Sequence, residues 1–540
     1  MSGTSRRRRR ALSFASSLVL ASSIVACAFV STESAEDEDP RDAPAARLIA
    51  RQPVLPLLLP RPGRTPEAQP VLRLSGVFDG EGDAPLAIRS LELSVDGVGG
   101  RFRLRRGDAF ADAVLVPGWA GEVASSVRVE GEEPLELRPG DSTLWVFLQP
   151  EGLTLDARVR VRCGAVELAD GRRLVPRSEA PDGPQRAGVV VRDAGDDGAA
   201  VHRIPGLVRT NAGTLLAVYD VRWNGWGDLP GHIDVGLRRS TDDGATWEPQ
   251  TIVLDQGADE TFRHDGVGDP SILVDRRTGT IWIAAVWSHG DNGWHGSGPG
   301  LAPEETGQLL LTSSVDDGLT WSAPRNLTRE VKDPAWCFLL QGPGRGITMK
   351  DGTLVFPAQY QDAQRLPHAT VLLSEDHGAT WRLGTGAKPD TTEAAVVELV
   401  PGTLMLNMRD NRREGAPGGG GARSVYTSTD KGRTWNAHPT SRRALVEPVC
   451  MASLLQVPFA GEELLLFSNP AVSTPPRRRL TVRASSDAGA TWSRGLLLDE
   501  GRSAGYSCLS RAGEEAVGIL YESSRAQLLF QRVPLADLRP

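Results

Sequence analysis

Apolar residues alternate with polar ones over short runs along this chain, and the three-and-four spacing of an amphipathic helix is nearly absent. Between about Pro70 and Ala169 the runs are Val71–Val77, Ile88–Val95, Arg101–Leu104, Ala113–Val116, Val127–Val129, Thr143–Leu148 and Ala157–Cys163, separated by Gly, Asp and Pro. Alternation bounded by turn residues predicts half-buried strands, and this many in about 100 residues predict a β-sandwich. The module carries no catalytic constellation. It reads as a carbohydrate-binding module or as a packed structural domain.

A second pattern repeats at longer range. The box S-x-D-x-G-x-T-W occurs at Ser240–Trp247, Ser314–Trp321, Ser374–Trp381, Ser428–Trp435 and Ser485–Trp492, with starts 74, 60, 54 and 57 residues apart. A fixed motif at such a period predicts a repeat architecture of β blades. Within each box, Asp-x-Gly predicts a tight hairpin turn, with Gly at positive φ and Asp capping nearby N–H groups. Thr and Trp are expected to start the next strand, with the indole packed on the blade. The boxes therefore read as fold, not chemistry. The roughly 350 residues from Ala187 to Pro540, at about 58 per blade, predict six blades, one of them without a box or closed by both chain ends. The expected fold is all-β: a jelly-roll-like β-sandwich over 66–180, then a six-bladed β-propeller over 187–540. Pro176–Arg186 is expected to link them.

Composition narrows the class. A net charge of −8 argues against a nucleic-acid partner. Only Lys332, Lys350, Lys388 and Lys431 are lysines, so a lone Arg carries little information without a motif around it. Arg6–Arg10 followed by the mostly apolar Ala11–Ala26 reads as an export signal. Ile24-Val25-Ala26-Cys27 resembles a bacterial lipobox, which would lipidate Cys27; the alternative is ordinary cleavage near Ala26-Cys27-Ala28. Either way the protein is expected to be exported, to the periplasm, as an outer-membrane lipoprotein or secreted. The run is too short and polar for a transmembrane helix, so membrane attachment is expected only through Cys27. Residues 28–65 are expected to be an acidic flexible tether. Cys163, Cys337, Cys450 and Cys508 lack C-x-x-C spacing and are expected to be mostly buried thiols. No His/Asp cluster is spaced for zinc and no phosphate loop occurs, so no metal or cofactor is expected. A monomer is expected.

A propeller does not name a function, so the chemistry must come from residues at its mouth. His202-Arg203-Ile204-Pro205 opens the repeat region just before the run Thr214–Tyr219. With the five boxes after it, this R-I-P resembles the opening of the exo-α-sialidases (neuraminidases), and the resemblance covers about residues 190–540. The bacterial members with an N-terminal β-sandwich are most similar.

The resemblance implies three arginines that grip the carboxylate of sialic acid with planar forks. Arg203 matches the first. Arg409, in Leu406-Asn407-Met408-Arg409-Asp410, matches the second. Arg477 matches the third, with Arg478 and Arg479 open as alternatives. The acid/base aspartate maps to Asp228, in the loop after Tyr219-Asp220-Val221-Arg222; Asp220 and Asp234 lie in strand patterns. Arg222 matches a further arginine that approaches the sugar. The implied nucleophile is a tyrosine, an exception to the usual carboxylate pair. A carboxylate there would be repelled by the substrate's own carboxylate. A phenol with pKa near 10 needs a neighbouring base. Tyr506, in Ser503-Ala504-Gly505-Tyr506-Ser507, matches it, while Tyr521 lies in an apolar strand pattern. Glu393 matches the base, with Glu398 as fallback, and Glu522 the brace of the first arginine. The implied activity is retaining hydrolysis of terminal sialic acid from glycoproteins, gangliosides and oligosaccharides. Transfer to another acceptor, intramolecular transfer, or a non-catalytic glycan-binding propeller are the alternatives.

Overall fold

Strands make up nearly all the regular structure of the computed structural model, which describes residues 46–539 except 79–83, 140–142, 180–182, 258–264 and 416–418. The expected signal segment, Cys27 and the tether up to residue 45 lie outside the described residues. Among the described residues the one α-helix is Thr328–Val331.

All seven anticipated sandwich strands form. One sheet runs, in spatial order, through Arg177–Ser178, Ala46–Arg51, Gln69–Phe78, Thr143–Glu151, Gly99–Arg106 and Val114–Val123. Facing it are Leu86–Asp96, Ser126–Leu137 and Arg158–Leu168. Leu91, Leu93, Phe102, Leu104, Leu144 and Val146 meet between the two sheets as alternate residues of their strands.

Two boundaries differ from expectation. Residues 46–65 are not tether: Ala46–Arg51 pairs antiparallel with Gln69–Phe78, opposing Ala50 to Leu74. Leu48 and Ala50 alternate into the core, which is why this segment orders as a strand. Nor is the stretch up to Arg186 a slack linker. Strand Gln185–Arg192 pairs on one edge with Arg158–Leu168 of the sandwich and on the other with Leu528–Pro534. One sheet therefore runs from the sandwich into the repeat region.

The repeat region is a β-propeller of antiparallel meanders. Five of them carry a box after the third strand. The last, Ser507–Arg511, Ala516–Tyr521 and Leu528–Pro534, carries none and is completed by Gln185–Arg192. The first box shows how the motif works. Ser240 Oγ accepts from Gly244 N (2.9 Å) and donates to Asp242 Oδ1 (2.8 Å). Asp242 also accepts from Thr246 N (2.9 Å) and Thr246 Oγ1 (2.6 Å). Asp243 and Gly244 take φ of 55° and 92°. A Cβ on Gly244 would lie 2.0 Å from Phe530 of the last meander, and one on Gly378 2.2 Å from Trp282 of the second. The glycine thus serves both the turn and close approach to the preceding blade. Trp247 packs edge-on to Phe530 at 5.4 Å, and Trp381 to Trp282 at 6.1 Å. Thr246 and Trp247 do not start a strand, because Thr246 is held by Asp242; the fourth strand begins at Thr251. Cys337, Cys450 and Cys508 are buried thiols, and Cys163 is partly exposed.

Candidate active site

Innermost strands of the propeller lose register at one mouth of the channel. Val201–Arg209 shifts against its neighbour between Arg203 and Gly206, Val267–Val274 between Gly268 and Ser271, and Thr391–Val400 between Thr391 and Ala394. Such breaks re-aim side chains. Here they present Arg203, Asp269 and Glu393 to one cavity of about 490 Å³, which Asp228, Arg409, Arg477 and Tyr506 also line. Ile204, between Arg203 and Pro205, sits at φ 58°, a strained value for a β-branched residue. Glu522 holds it there. Its Oε1 accepts from Arg203 Nε (3.0 Å) and Ile204 N (3.1 Å), and its Oε2 from Tyr506 N (2.8 Å). One buried carboxylate thus fixes the first arginine and the tyrosine backbone together.

At the floor, Tyr506 Oη donates to Glu393 Oε1. Arg409 Nη1 reaches Glu393 Oε2 at 2.7 Å and Tyr506 Oη at 3.1 Å. The guanidiniums of Arg203 and Arg477 lie 5.5 Å and 5.6 Å from the Tyr506 ring centroid. Arg477 is anchored by Ala504 O and Val449 O, each at 2.8 Å. Arg478 and Arg479 are exposed and outside the cavity lining, so of the three Arg477 alone lines the cavity.

Asp228 stands at the rim with its side chain 77% exposed, on a loop that Arg222 organises. Arg222 Nη1 donates to Trp226 O (2.8 Å), Gly227 O (3.0 Å) and Asp228 Oδ1 (2.8 Å), and Nη2 to Asp220 Oδ2 (2.8 Å). Arg222 was expected to approach a sugar. Instead it is 2% exposed and absent from the cavity lining, because these acceptors and burial behind Asp228 take its fork. Asp234 accepts from Trp223 Nε1 (2.6 Å) inside the first meander. Glu398 caps Lys350 N and Gly402 N away from the cavity, and Tyr521 bonds Gln531 in the core.

The field of the site is set by its arginines. Burial pushes the Glu393 carboxyl up, but Arg409 and the Tyr506 hydrogen bond outweigh it and leave Glu393 below its ordinary range. Burial, reinforced by Glu393, drives the Tyr506 phenol well above its ordinary value, so it is neutral. Most of the Asp228 side chain meets solvent, and partial desolvation by the surrounding walls works to raise it, yet Arg222 and Arg203 hold it below the usual range. Asp269 is driven well up by burial and by the charges of Asp220, Asp228 and Glu393. It had not been singled out in the sequence. Its signal is Pro270: Gly268-Asp269-Pro270 copies Arg203-Ile204-Pro205, with Asp269 at φ 56°, and proline inside a strand marks a bulge. Val286, Phe338, Leu340, Leu229 and Trp294 form an apolar wall. Among the described residues no group of His, Cys, Asp and Glu side chains is arranged to hold a metal ion.

Residues 213–519 match the family model of the BNR repeat-like domain. A sialidase of Bacteroides fragilis is 49% identical over 427 residues, covering 77% of this chain and 76% of its own. The chain belongs to the sialidase family. This family is one of glycoside hydrolases, and the resemblance carried by R-I-P and the boxes is thereby shown. A sialidase of Micromonospora viridifaciens is 37% identical over 341 residues, 61% of this chain but only 50% of that longer protein. The solved structure of the Hadza microbial sialidase Hz136 superposes with a TM-score of 0.80 at 42% identity, covering 91% of this chain and all (100%) of the other. That coverage takes in the sandwich as well as the sialidase propeller.

Proposed function

We propose that the protein is an exo-α-sialidase that releases terminal sialic acid from sialylated glycans with retention of anomeric configuration. The observation that carries this reading is the triangle of Tyr506, Glu393 and Arg409 beneath the arginines 203 and 477. A carboxylate seated among the three guanidiniums puts the adjacent anomeric carbon over the Tyr506 oxygen. As the C–O bond to the leaving group breaks, Tyr506 bonds to that carbon and passes its proton to Glu393. Asp228 delivers a proton to the departing oxygen. Water then gives a proton to Asp228 and adds to the carbon, while the Tyr506 oxygen leaves and recovers its proton from Glu393. The neutral phenol matters, since an anionic nucleophile would face the substrate's carboxylate.

Charge also accounts for an acid whose pKa is low in the free protein. Arg222, Arg203 and Arg409 depress Asp228. A bound carboxylate offsets that field, so substrate itself raises Asp228 towards its protonated form. The apolar wall around Phe338 and Trp294 suits an acyl methyl group, and the Asp269 carboxyl suits a ring hydroxyl.

The test is incubation with 4-methylumbelliferyl-α-sialic acid, following fluorescence together with the sugar by NMR. Release of α-sialic acid ahead of its mutarotation is expected. Release of an anhydro sugar would reassign the enzyme to intramolecular transfer. No turnover from pH 4 to 8 by folded protein would overturn the reading in favour of a binding propeller.

A further inference from the structure

The catalytic cavity does not end at Arg203. That residue and Glu522 also line a second cleft of about 230 Å³, whose other walls include Trp226, Ala504, Ala526 and Gln527. Trp226 is 63% exposed, among the largest apolar surfaces that the protein leaves in solvent. It lies two residues before Asp228, and its carbonyl is pinned by Arg222 Nη1 at 2.8 Å. The same arginine therefore holds both the acid and the backbone that carries the indole. A lone exposed side chain would need no explanation, but this one lines a cleft that shares Arg203 with the catalytic cavity.

The chemistry of the cleft selects its occupant. Arg203 Nε and Glu522 already bond each other at 3.0 Å. Gln527 is committed to His202 N at 2.7 Å and to Ala200 O at 3.3 Å. The cleft also carries Asp193, Ser523, Ser524 and Arg525, and its exposed aromatic face is Trp226; the indole suits the C–H face of a neutral pyranose, and the polar walls suit its hydroxyls. Position agrees. The oxygen that Asp228 protonates must lie at the rim, on the loop that also carries Trp226.

We infer that Trp226 is the platform of a leaving-group subsite, stacking on the neutral pyranose that carries the sialic acid. This rests on the proposed hydrolase function. The test compares 3′-sialyllactose with α-sialyl fluoride, whose leaving group is one atom and cannot stack. In Trp226→Ala the ratio of kcat/KM for sialyllactose to that for the fluoride should fall about tenfold, and Trp226→Phe should restore most of it. An unchanged ratio overturns the inference, whether both substrates keep their rates or lose them equally; equal loss would make Trp226 only a prop of the Asp228 loop. Wild-type protein inert to both substrates would instead count against the hydrolase reading. Saturation-transfer NMR on Asp228→Asn then still decides. Transfer to the galactose protons of sialyllactose should vanish on adding Trp226→Ala, and its persistence overturns the inference.

Discussion

Arg409 Nη1 stands 2.7 Å from Glu393 Oε2 and 3.1 Å from the Tyr506 oxygen, so one guanidinium nitrogen bonds the proposed base and the proposed nucleophile together. In the proposed step the proton of Tyr506 moves to Glu393, and negative charge shifts from the carboxylate towards the phenol oxygen. Arg409 touches both ends of that shift and need not move. The arrangement stabilises the transfer electrostatically while keeping the phenol neutral at rest.

Tyr506→Phe removes the oxygen proposed as nucleophile and leaves Arg203, Arg409 and Arg477 in place. Hydrolysis of sialyllactose should fall by about 10³-fold or more, the range for losing a residue that acts as part of a catalytic unit. Binding of free sialic acid, measured by calorimetry, should change little. A large loss of binding would show that the phenol acts mainly as part of the carboxylate site.

Arg409→Ala does more than remove a clamp, because it leaves the largely buried Glu393 carboxylate without its ion-pair partner, bonded only to Tyr506. The loss in kcat/KM should correspond to about 2–5 kcal/mol. Arg409→Lys keeps the charge but not the fork, and should recover only part. Glu393, freed of the interaction that holds it down, should titrate higher in the alanine variant. Wild-type rates in Arg409→Ala would remove this arginine from the site.

Asp228 supplies the pH test. In the free protein its carboxyl lies below the ordinary range, held there against partial desolvation by Arg222 and Arg203. The protonated form needed of an acid therefore disappears early as pH rises, and kcat/KM, which reports the free enzyme, should decline first. Substrate carboxylate offsets the arginines, so kcat should hold to higher pH. Asp228→Asn should lose far more on sialyllactose than on 4-methylumbelliferyl sialoside, whose phenolic leaving group needs little protonation. Equal losses would assign the acid elsewhere.

How much of this was written in the sequence depends on whether a residue's role is local. The boxes were legible because the Ser240, Asp242 and Thr246 network closes within one turn. The sandwich strands were legible from alternation alone. Glu522 and Glu393 came only through resemblance, since the partners of Glu522 are 319 and 16 residues away. Asp269 escaped because its register break is a matter of pairing with Ile281–Trp287, visible in sequence only as a proline inside a strand. The partners of Arg222 were not legible for a similar reason: which acceptors take its fork depends on how the 226–228 loop folds back over it. Ala46–Arg51 was lost in an acidic, proline-rich neighbourhood, and its place is decided by a sandwich edge that no local pattern reveals.

The boxes make a separable claim about stability. Gly378 takes φ 90°, and a Cβ there would lie 2.2 Å from the Trp282 ring. Gly402 takes φ 83° with nothing within 4 Å. Gly402→Ala thus incurs only the backbone cost of a left-handed residue, about 1 kcal/mol. Gly378→Ala adds overpacking between blades, a further 1–3 kcal/mol or about that range. The melting temperature should drop more for Gly378→Ala, though neither position lies near the cavity lining. Acid should probe the same turns. Hydrogen bonds from the box threonines, first among the causes, lower Asp316, Asp376, Asp430 and Asp487 to about 2. These carboxyls titrate lower folded than unfolded, so their contribution is complete above the ordinary aspartate pKa of about 3.9 and is lost as pH falls towards 2. Thr380→Val deletes the side-chain donor to Asp376 while keeping its shape. It should destabilise the protein at pH 6 and progressively less as pH approaches 2, measured by chemical denaturation. A penalty that does not shrink with acid would show that the threonine acts by packing and not by holding the carboxylate.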